Sequence, residues 1–213
     1  MIWTPPRLYA ILDTDLTAAR GLDPADVAAA WLDAGVRLIQ LRAKSLAFGP
    51  MLALAETLVG LASQAAATVI VNDRADVARL AGADGVHLGQ RDLDAAGARV
   101  VLGPRALVGR STHTAAQVEA ACREPVSYVA IGPVFATTTK PDPGPEVGLA
   151  GVSAAARLCA GCDLAVVAIG GLSVERAPDV LAAGATSLAV ISDLLAGDPG
   201  ERARAWLEAV AAR

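Results

Sequence analysis

Short apolar runs alternate along the chain with longer stretches in which apolar residues return at helical spacing. Each run is short enough for a buried strand and is not amphipathic, which is typical of a strand covered on both faces. The runs comprise residues 8–13, 38–43, 68–73, 85–89, 107–112, 128–134, 165–171 and 187–192. The spacing between them predicts amphipathic helices, including residues 24–34, 49–63, 114–122 and 175–183. Strand and helix therefore alternate from one end of the sequence to the other.

This alternation predicts a (β/α)8 TIM barrel, folded as a single domain over residues 1–213. Capping residues agree with it: Asp23 before Pro24, and Thr114, predict helix starts, and glycines predict helix ends at Gly35, Gly82 and Gly184. A doubly wound open sheet is the alternative fold. Its first strand-to-helix turn needs a glycine-rich phosphate loop, which LDTDLTAARGLD (residues 12–23) does not provide.

Composition narrows the classes of function. The 213 residues are 54% hydrophobic and only 3% aromatic, which predicts a large core of Ala, Val, Leu and Ile. The net charge of −4 and the scarcity of aromatic residues argue against a nucleic-acid partner. We find no export signal and no apolar run of membrane-spanning length, so we expect a cytoplasmic protein without membrane association.

The chain has three cysteines, Cys122, Cys159 and Cys162. The odd number argues against a disulfide framework. Cys159 and Cys162 form a C-x-x-C pair, but no second pair accompanies it as in common zinc sites. We therefore expect small buried or half-buried thiols, with a redox or metal role as the alternative.

Polar residues at the ends of the predicted strands are the candidates for chemistry, because a TIM barrel has its active site there. The second strand ends in Gln40, Arg42 and Lys44, which alternate with Leu41 and Ala43. Side chains of a strand alternate between its two faces, so the three polar groups are predicted to point to one place. A salt-bridged barrel interior is the alternative.

Two acids, Asp73 and Asp92, follow the third and fourth strands, with Asn72 and His87 beside them. If these strands are neighbours, the two carboxylates meet at one rim of the barrel. Mg²⁺ takes one or two carboxylates and completes its shell with water and phosphate oxygens. The pair therefore predicts a magnesium site for a diphosphate, and a helix cap is the alternative for either acid alone.

Three later segments predict phosphate binding. The fifth strand ends at Ser111 and His113, and the long loop 132–148 contains three threonines and a lysine: Thr137, Thr138, Thr139 and Lys140. Gly170 and Gly171 follow the seventh strand, and Ile191 and Ser192 end the eighth. Backbone N–H groups after strands 7 and 8 commonly bind phosphate in this fold. A tight turn is the alternative role of the glycine pair.

Seven motifs in order resemble those of the thiamine phosphate synthase family: QLRAK, VNDRADVA, ADGVHLGQRD, GRSTH, GPVFATTTK, VAIGGL and AVIS. The resemblance runs from about residue 8 to residue 192. It implies a magnesium-dependent condensation of 4-amino-2-methyl-5-hydroxymethylpyrimidine diphosphate with 4-methyl-5-hydroxyethylthiazole phosphate. Thiamine phosphate and pyrophosphate would be the products, and a homodimer is compatible with the family analogy.

The resemblance also implies roles for individual residues. Asp73 and Asp92 would bind Mg²⁺. The expected diphosphate ligands are Arg42, Lys44, Asn72 and Lys140. Gln40 and His87 would contact the pyrimidine, and Ser111 would lie at the reacting centre. The expected thiazole phosphate ligands are Thr137, Thr139, Gly171, Ile191 and Ser192.

Three departures from the family pattern concern Ser45, where an acid is usual, Arg176, where Asn is usual, and the proline pattern of PDPGPEVG. The rival functions are a thiazole tautomerase, a non-catalytic thiazole phosphate sensor and a phospho-sugar isomerase on the same fold. Retention of Asp92, and a proline rather than a histidine after Gly132, favour the synthase over the tautomerase.

Overall fold

The computed structural model describes residues 3–137, 139 and 144–211 of the chain. Its strands pair in parallel, each with its sequence neighbours, and the last pairs with the first to close a barrel. The strands are β1 (Leu8–Asp13), β2 (Leu38–Arg42), β3 (Thr68–Asn72), β4 (Gly85–Leu88), β5 (Leu107–Thr112), β6 (Tyr128–Ile131), β7 (Ala165–Ile169) and β8 (Ser187–Val190). The predicted (β/α)8 fold is confirmed.

Helices connect the strands on the outside of the barrel. They are α1 (Thr14–Ala19), α2 (Pro24–Ala34), α3 (Phe48–Gln64), α4 (Ala75–Ala81), α5 (Ala95–Leu102), α6 (Ala115–Ala121), α7 (Gly148–Ala160), α8 (Ala177–Ala182) and α9 (Pro199–Ala211). The Asp23 side chain caps α2, Thr114 caps α6, and Gly35 and Gly82 end α2 and α4 in left-handed conformations, as predicted.

Two separate cores hold the barrel together. The interior of the barrel contains a small cluster in which Tyr9 and Tyr128 are the largest side chains, among aliphatic residues such as Ile70 and Val167. A larger cluster fills the layer between the strands and the helices, with Trp31 and Trp206 fully buried in it. Ala, Val, Leu and Ile make up most of both clusters, as the composition indicates. Polar side chains inside the barrel therefore stand out as functional candidates.

The cysteines differ from the expectation of separate thiols. Cys122 and Cys162 are joined by a disulfide between chain positions 40 residues apart, and Cys159 is a buried free thiol. An odd number of cysteines shows only that at least one of them is unpaired. It does not exclude a single disulfide between the other two. Among the residues placed by the structure, no helix is both long and apolar enough to cross a membrane.

Candidate active site

A pocket opens at the carboxyl ends of the strands, as predicted for this fold. Ten of the predicted ligands line it: Gln40, Arg42, Asn72, His87, Ser111, Thr137, Thr139, Gly171, Ile191 and Ser192. Lys44, Asp73 and Asp92 are not among the lining residues. Lys140 and Thr138 lie outside the described part of the chain. The barrel thus brings side chains from β2, β3, β4, β5 and the later loops into one cavity.

The three polar residues in and after β2 lie at different depths instead of meeting at one place. Gln40 is buried at the bottom of the pocket, and Arg42 lies at the end of the strand. Lys44 lies beyond the strand, half-exposed, and pairs with Asp73. A strand rises about 3.3 Å per residue, so alternate positions on one face are stacked along the barrel axis. The alternation predicted the correct face but not this depth.

Arg42 forms an ion pair with a residue that the sequence analysis missed, Asp13 at the end of β1. Both side chains are largely buried, with 13% of the Arg42 side chain and 4% of the Asp13 side chain exposed. Asp13 also caps α1 by accepting a hydrogen bond from Leu16 N–H at 3.0 Å. Arg42 therefore both forms a salt bridge inside the barrel and lines the pocket. The available signal in the sequence was an acid, Asp13, at the end of the first apolar run, and the β1–β2 register pairs it with Arg42.

Asp73 occupies an unusual backbone conformation directly after β3. Its φ is +63°, in the left-handed region, and its N–H donates to the His87 carbonyl at 2.8 Å. The N-cap of α4 is Arg74, and the N-cap of α5 is Asp94. Neither Asp73 nor Asp92 therefore serves as the helix cap that was the alternative for each. Few residues other than glycine adopt this conformation, and aspartate is among those that do so most readily.

The carboxyl groups of Asp73 and Asp92 interact with each other. Partial burial, together with the Asp92 carboxyl group, raises the pKa of Asp73 above its usual range. Burial alone would raise the pKa of Asp92 as well, but hydrogen bonds with Asp73 and from Gly89 N–H lower it. The Gly89 N–H to Asp92 Oδ2 distance is 2.7 Å. Two adjoining carboxyl groups at an open rim match the oxygen ligands that Mg²⁺ prefers, so these residues fit the ion.

A continuous hydrogen-bond network lies at the bottom of the pocket. The Gln40 amide donates to the Tyr9 hydroxyl at 2.7 Å, and the Tyr9 and Tyr128 hydroxyls are 2.9 Å apart. His87 Nδ1 lies 3.0 Å from the Tyr128 hydroxyl, and His87 Nε2 lies 2.8 Å from the Ser111 hydroxyl. His87 therefore links the two hydroxyls. Burial raises the pKa of both tyrosines, so they remain neutral partners. The network fixes the orientation of Gln40, His87 and Ser111.

The two tyrosines of this network were missed from the sequence because each lies within an apolar run. Tyr9 shares a strand face with Ile11, and Tyr128 with Ala130, and all four side chains belong to the barrel interior. A buried tyrosine usually needs a partner for its hydroxyl. The signal available in the sequence was therefore the presence of tyrosines within apolar runs of a chain that has few aromatic residues.

The Tyr128–His87 contact depends on the absence of a side chain at Gly109. A Cβ there would lie 2.1 Å from Tyr128 Cζ and 2.5 Å from His87 Nδ1. We expect Gly109→Ala to displace both rings and to lower the free energy of unfolding by about 3 kcal/mol, at the upper end of ordinary overpacking.

Urea denaturation measures this effect, with Gly60→Ala as the control. Gly60 lies exposed in α3 with open space around it, so alanine there is expected to raise stability by about 0.5–1 kcal/mol. Equal stability of Gly109→Ala and the wild type would contradict the close packing at the bottom of the pocket.

A second polar corner lies on the opposite side of the pocket. The hydroxyls of Thr137 and Thr139 are 3.3 Å apart, and the Thr139 hydroxyl lies 3.5 Å from that of Ser192. Gly171 adjoins them with φ +63°, and a Cβ there would lie 2.4 Å from the Ala136 carbonyl oxygen. Close approach of two loops therefore requires this glycine. The corner offers hydroxyls and backbone groups suited to a phosphate.

Arg176 joins the two loops of this corner. Its Nη1 donates to the Gly171 carbonyl at 2.8 Å, and its guanidinium carbon lies 4.3 Å from the centre of the Phe135 ring. The residue that departs from the family pattern therefore has a structural role. It connects the segment after β6 with the segment after β7.

The thiamine monophosphate synthase family model matches residues 8–194 of the chain. The chain belongs to this family. It is 41% identical to a thiamine-phosphate synthase of Roseiflexus castenholzii over 97% of this chain and 89% of that protein. It is 44% identical to a bifunctional thiamine biosynthesis protein of Symbiobacterium thermophilum over 89% of this chain, but it spans only 39% of the length of that longer protein.

A solved structure of the thiamine phosphate pyrophosphorylase from Pyrococcus furiosus is 29% identical and superposes with a TM-score of 0.85. The alignment covers 96% of this chain and 95% of that one. The family predicted from the seven motifs is confirmed. The roles of individual residues in this thiamine monophosphate synthase family member, and the extension of one domain over all of residues 1–213, stay predictions.

Proposed function

We propose that this member of the family joins 4-amino-2-methyl-5-hydroxymethylpyrimidine diphosphate to 4-methyl-5-hydroxyethylthiazole phosphate, releasing pyrophosphate. One observation supports the proposal above others. A single pocket contains a neutral polar network and a hydroxyl-rich corner, and Asn72 in its lining is followed by Asp73, which pairs with Lys44 in a charged rim beside the pocket. The reaction needs three such environments: one for a diphosphate, one for an aminopyrimidine ring and one for a separate phosphate.

The charged rim would take the diphosphate. Asp73 and Asp92 would hold Mg²⁺, and Arg42, Lys44 and Asn72 would contact the phosphate oxygens, joined by Lys140. Mg²⁺ supplies Lewis-acid chemistry when bound, because it neutralises negative charge on phosphate oxygens. Lys44 pairs with Asp73, so its ammonium group lies next to the proposed metal ligand, where it would meet the diphosphate that the metal binds.

The neutral network would take the pyrimidine. The Gln40 amide lies at the bottom of the pocket with its Nε2 committed to Tyr9, which leaves its carbonyl oxygen as an acceptor for a ring amino group. Ser111 is held by His87 beside the pocket and would lie at the reacting carbon. The hydroxyl-rich corner would take the thiazole phosphate through Thr137, Thr139, Gly171, Ile191 and Ser192.

The proposed reaction breaks the bond between the pyrimidine methylene carbon and the diphosphate oxygen, and the thiazole nitrogen forms the new bond to that carbon. The electron-rich aminopyrimidine stabilises positive charge on the carbon, while the bond electrons leave with pyrophosphate. Arg42 and the lysines stabilise the negative charge that grows on the leaving group. A strong general base is not required, because the attacking nitrogen carries a lone pair and no proton.

Product analysis tests this proposal. Purified protein is mixed with both substrates and Mg²⁺, and thiamine phosphate and pyrophosphate are quantified together. We expect equal amounts of the two products, and neither product when one substrate is omitted. Thiazole isomerisation without thiamine phosphate would favour the tautomerase, and binding of thiazole phosphate without any product would favour the sensor. Either result would contradict the synthase.

Arg176 provides a more selective prediction. Arg176→Ala removes the contacts to Phe135 and Gly171. A cation–π contact and a hydrogen bond that together contribute about 1 kcal/mol correspond to a rise of about 3- to 10-fold in the KM for thiazole phosphate. The KM for the pyrimidine diphosphate should stay unchanged. Arg176→Lys retains the charge without the planar stack. Because lysine can still donate to the Gly171 carbonyl and approach the Phe135 ring, we expect it to recover part of the loss, and an unchanged KM in Arg176→Ala would contradict the role of Arg176 in joining the loops.

A further inference from the structure

The three cysteines lie together at the end of the barrel opposite the active site. Cys122 caps the C-terminus of α6, Cys159 is in the last turn of α7, and Cys162 follows in the turn before β7. Helix C-termini precede the strands in this fold, so they lie at the amino ends of the strands. The three sulfurs are within 4.8 Å of one another. The active site uses none of these residues.

The surroundings favour a disulfide over a metal at this cluster. Carbonyl oxygens face the sulfurs, since the Leu158 carbonyl lies 3.9 Å from Cys122 Sγ and 3.8 Å from Cys162 Sγ. The C-terminal ends of helices destabilise negative charge, and burial raises the pKa of the Cys159 thiol to about 11. A metal held by the three sulfurs would require several thiolates at once, Cys159 included, whereas thiol–disulfide exchange needs one thiolate at a time.

The number of ligands leads to the same conclusion. Structural zinc sites take four ligands, whereas the group formed here by described residues contains only the three cysteines. A disulfide is neutral and needs two sulfurs. The Cα atoms of Cys122 and Cys162 are 5.7 Å apart, within the range that disulfides adopt.

We propose that Cys122, Cys159 and Cys162 form a thiol–disulfide exchange site whose reactant is a small disulfide compound. Cys122 or Cys162, both half-buried, attacks the small disulfide as a thiolate, forms a mixed disulfide and releases one small thiol. The second of these cysteines then attacks the protein sulfur of the mixed disulfide and releases the other small thiol. The protein dithiol is oxidised and the small disulfide is reduced to two thiols. Cys159, only 1% exposed, keeps its thiol.

The bond would close the part of the chain that includes loop 132–148 of the proposed active site. Its ends are 40 residues apart, and the closed segment includes β6 and α7. Cross-linking limits the conformations of the unfolded chain, and a loop of this length is expected to raise the Tm by about 5–10 °C in a protein of this size. The inference does not depend on the synthase reaction.

Peptide mapping tests the site directly on the full-length chain. The protein is equilibrated with oxidised or reduced glutathione, blocked with an alkylating agent and digested with trypsin. We expect oxidation to link peptide 111–123 to peptide 158–176, with fragment ions assigning the bond to Cys162 and leaving one free thiol, Cys159. The Tm should rise on oxidation and fall again on reduction.

Two serine variants provide the matched comparison. Cys159→Ser should keep the link and the rise in Tm, whereas Cys122→Ser should lose both. The reduced wild type gives the same comparison without any substitution, should Cys122→Ser fold poorly. A link through Cys159, three free thiols after oxidation, or one tightly bound zinc ion per chain would each overturn the proposal.

Discussion

Asp92→Asn is expected to lower kcat/KM for thiamine phosphate formation by about 100- to 1000-fold, because loss of a metal ligand removes several kcal/mol of charge stabilisation at the diphosphate. The substitution keeps the size of the side chain and an oxygen that can accept from Gly89 N–H. The fold should therefore be retained. Steady-state kinetics at saturating Mg²⁺ measures the loss, and the Tm checks the fold.

Asp94→Asn is the matched control for this variant. Asp94 is an exposed acid two residues further along, and its side chain caps α5 by accepting from Gly97 N–H at 2.6 Å. Asparagine caps helices as well as aspartate does, so we expect near wild-type activity.

Asp73→Asn should behave like Asp92→Asn, since asparagine tolerates the left-handed backbone at position 73. Full activity in either ligand variant would contradict the metal assignment.

Arg42→Met is the second variant with a large expected effect. It removes a cation from the pocket, and loss of one preorganised group of this kind costs about 100- to 1000-fold in rate. It also leaves Asp13 buried without its ion-pair partner, which should lower the free energy of unfolding by about 3 kcal/mol. Kinetics and urea denaturation measure the two losses separately.

The double variant Asp13→Asn/Arg42→Met separates activity from stability. Asparagine at position 13 removes the uncompensated charge while it can still accept from Leu16 N–H. We expect the double variant to regain most of the stability and none of the activity. Recovery of both would mean that Arg42 acts only by holding the barrel together, and its proposed contact with the diphosphate would be wrong.

The sequence predicted the strands well because their signal is local. Runs 8–13 and 107–112 match β1 and β5 at both ends. The run 128–134 extends past β6, which ends at Ile131. Gly132 and Pro133 continue the apolar run, but proline has no N–H for the ladder. Apolar character marks burial, whereas the end of a strand depends on hydrogen bonding with its neighbours.

Site residues were harder to predict where their partners are distant in sequence. Asp13 and Arg42 are 29 residues apart, and Tyr9 and Tyr128 are 119 apart. The barrel sets these neighbours through strand register, which a hydrophobic pattern does not specify. The contact between Phe135 and Arg176 and the Cys122–Cys162 bond depend in the same way on how adjacent loops and helices pack.

The most direct test of a magnesium-dependent synthase is formation of thiamine phosphate with and without Mg²⁺. Purified protein is stripped with a chelator and mixed with both substrates, and the product is followed by fluorescence after oxidation. We expect no measurable product without the ion and full activity when Mg²⁺ is restored. Equal product formation in the presence of excess chelator would contradict a metal site at Asp73 and Asp92.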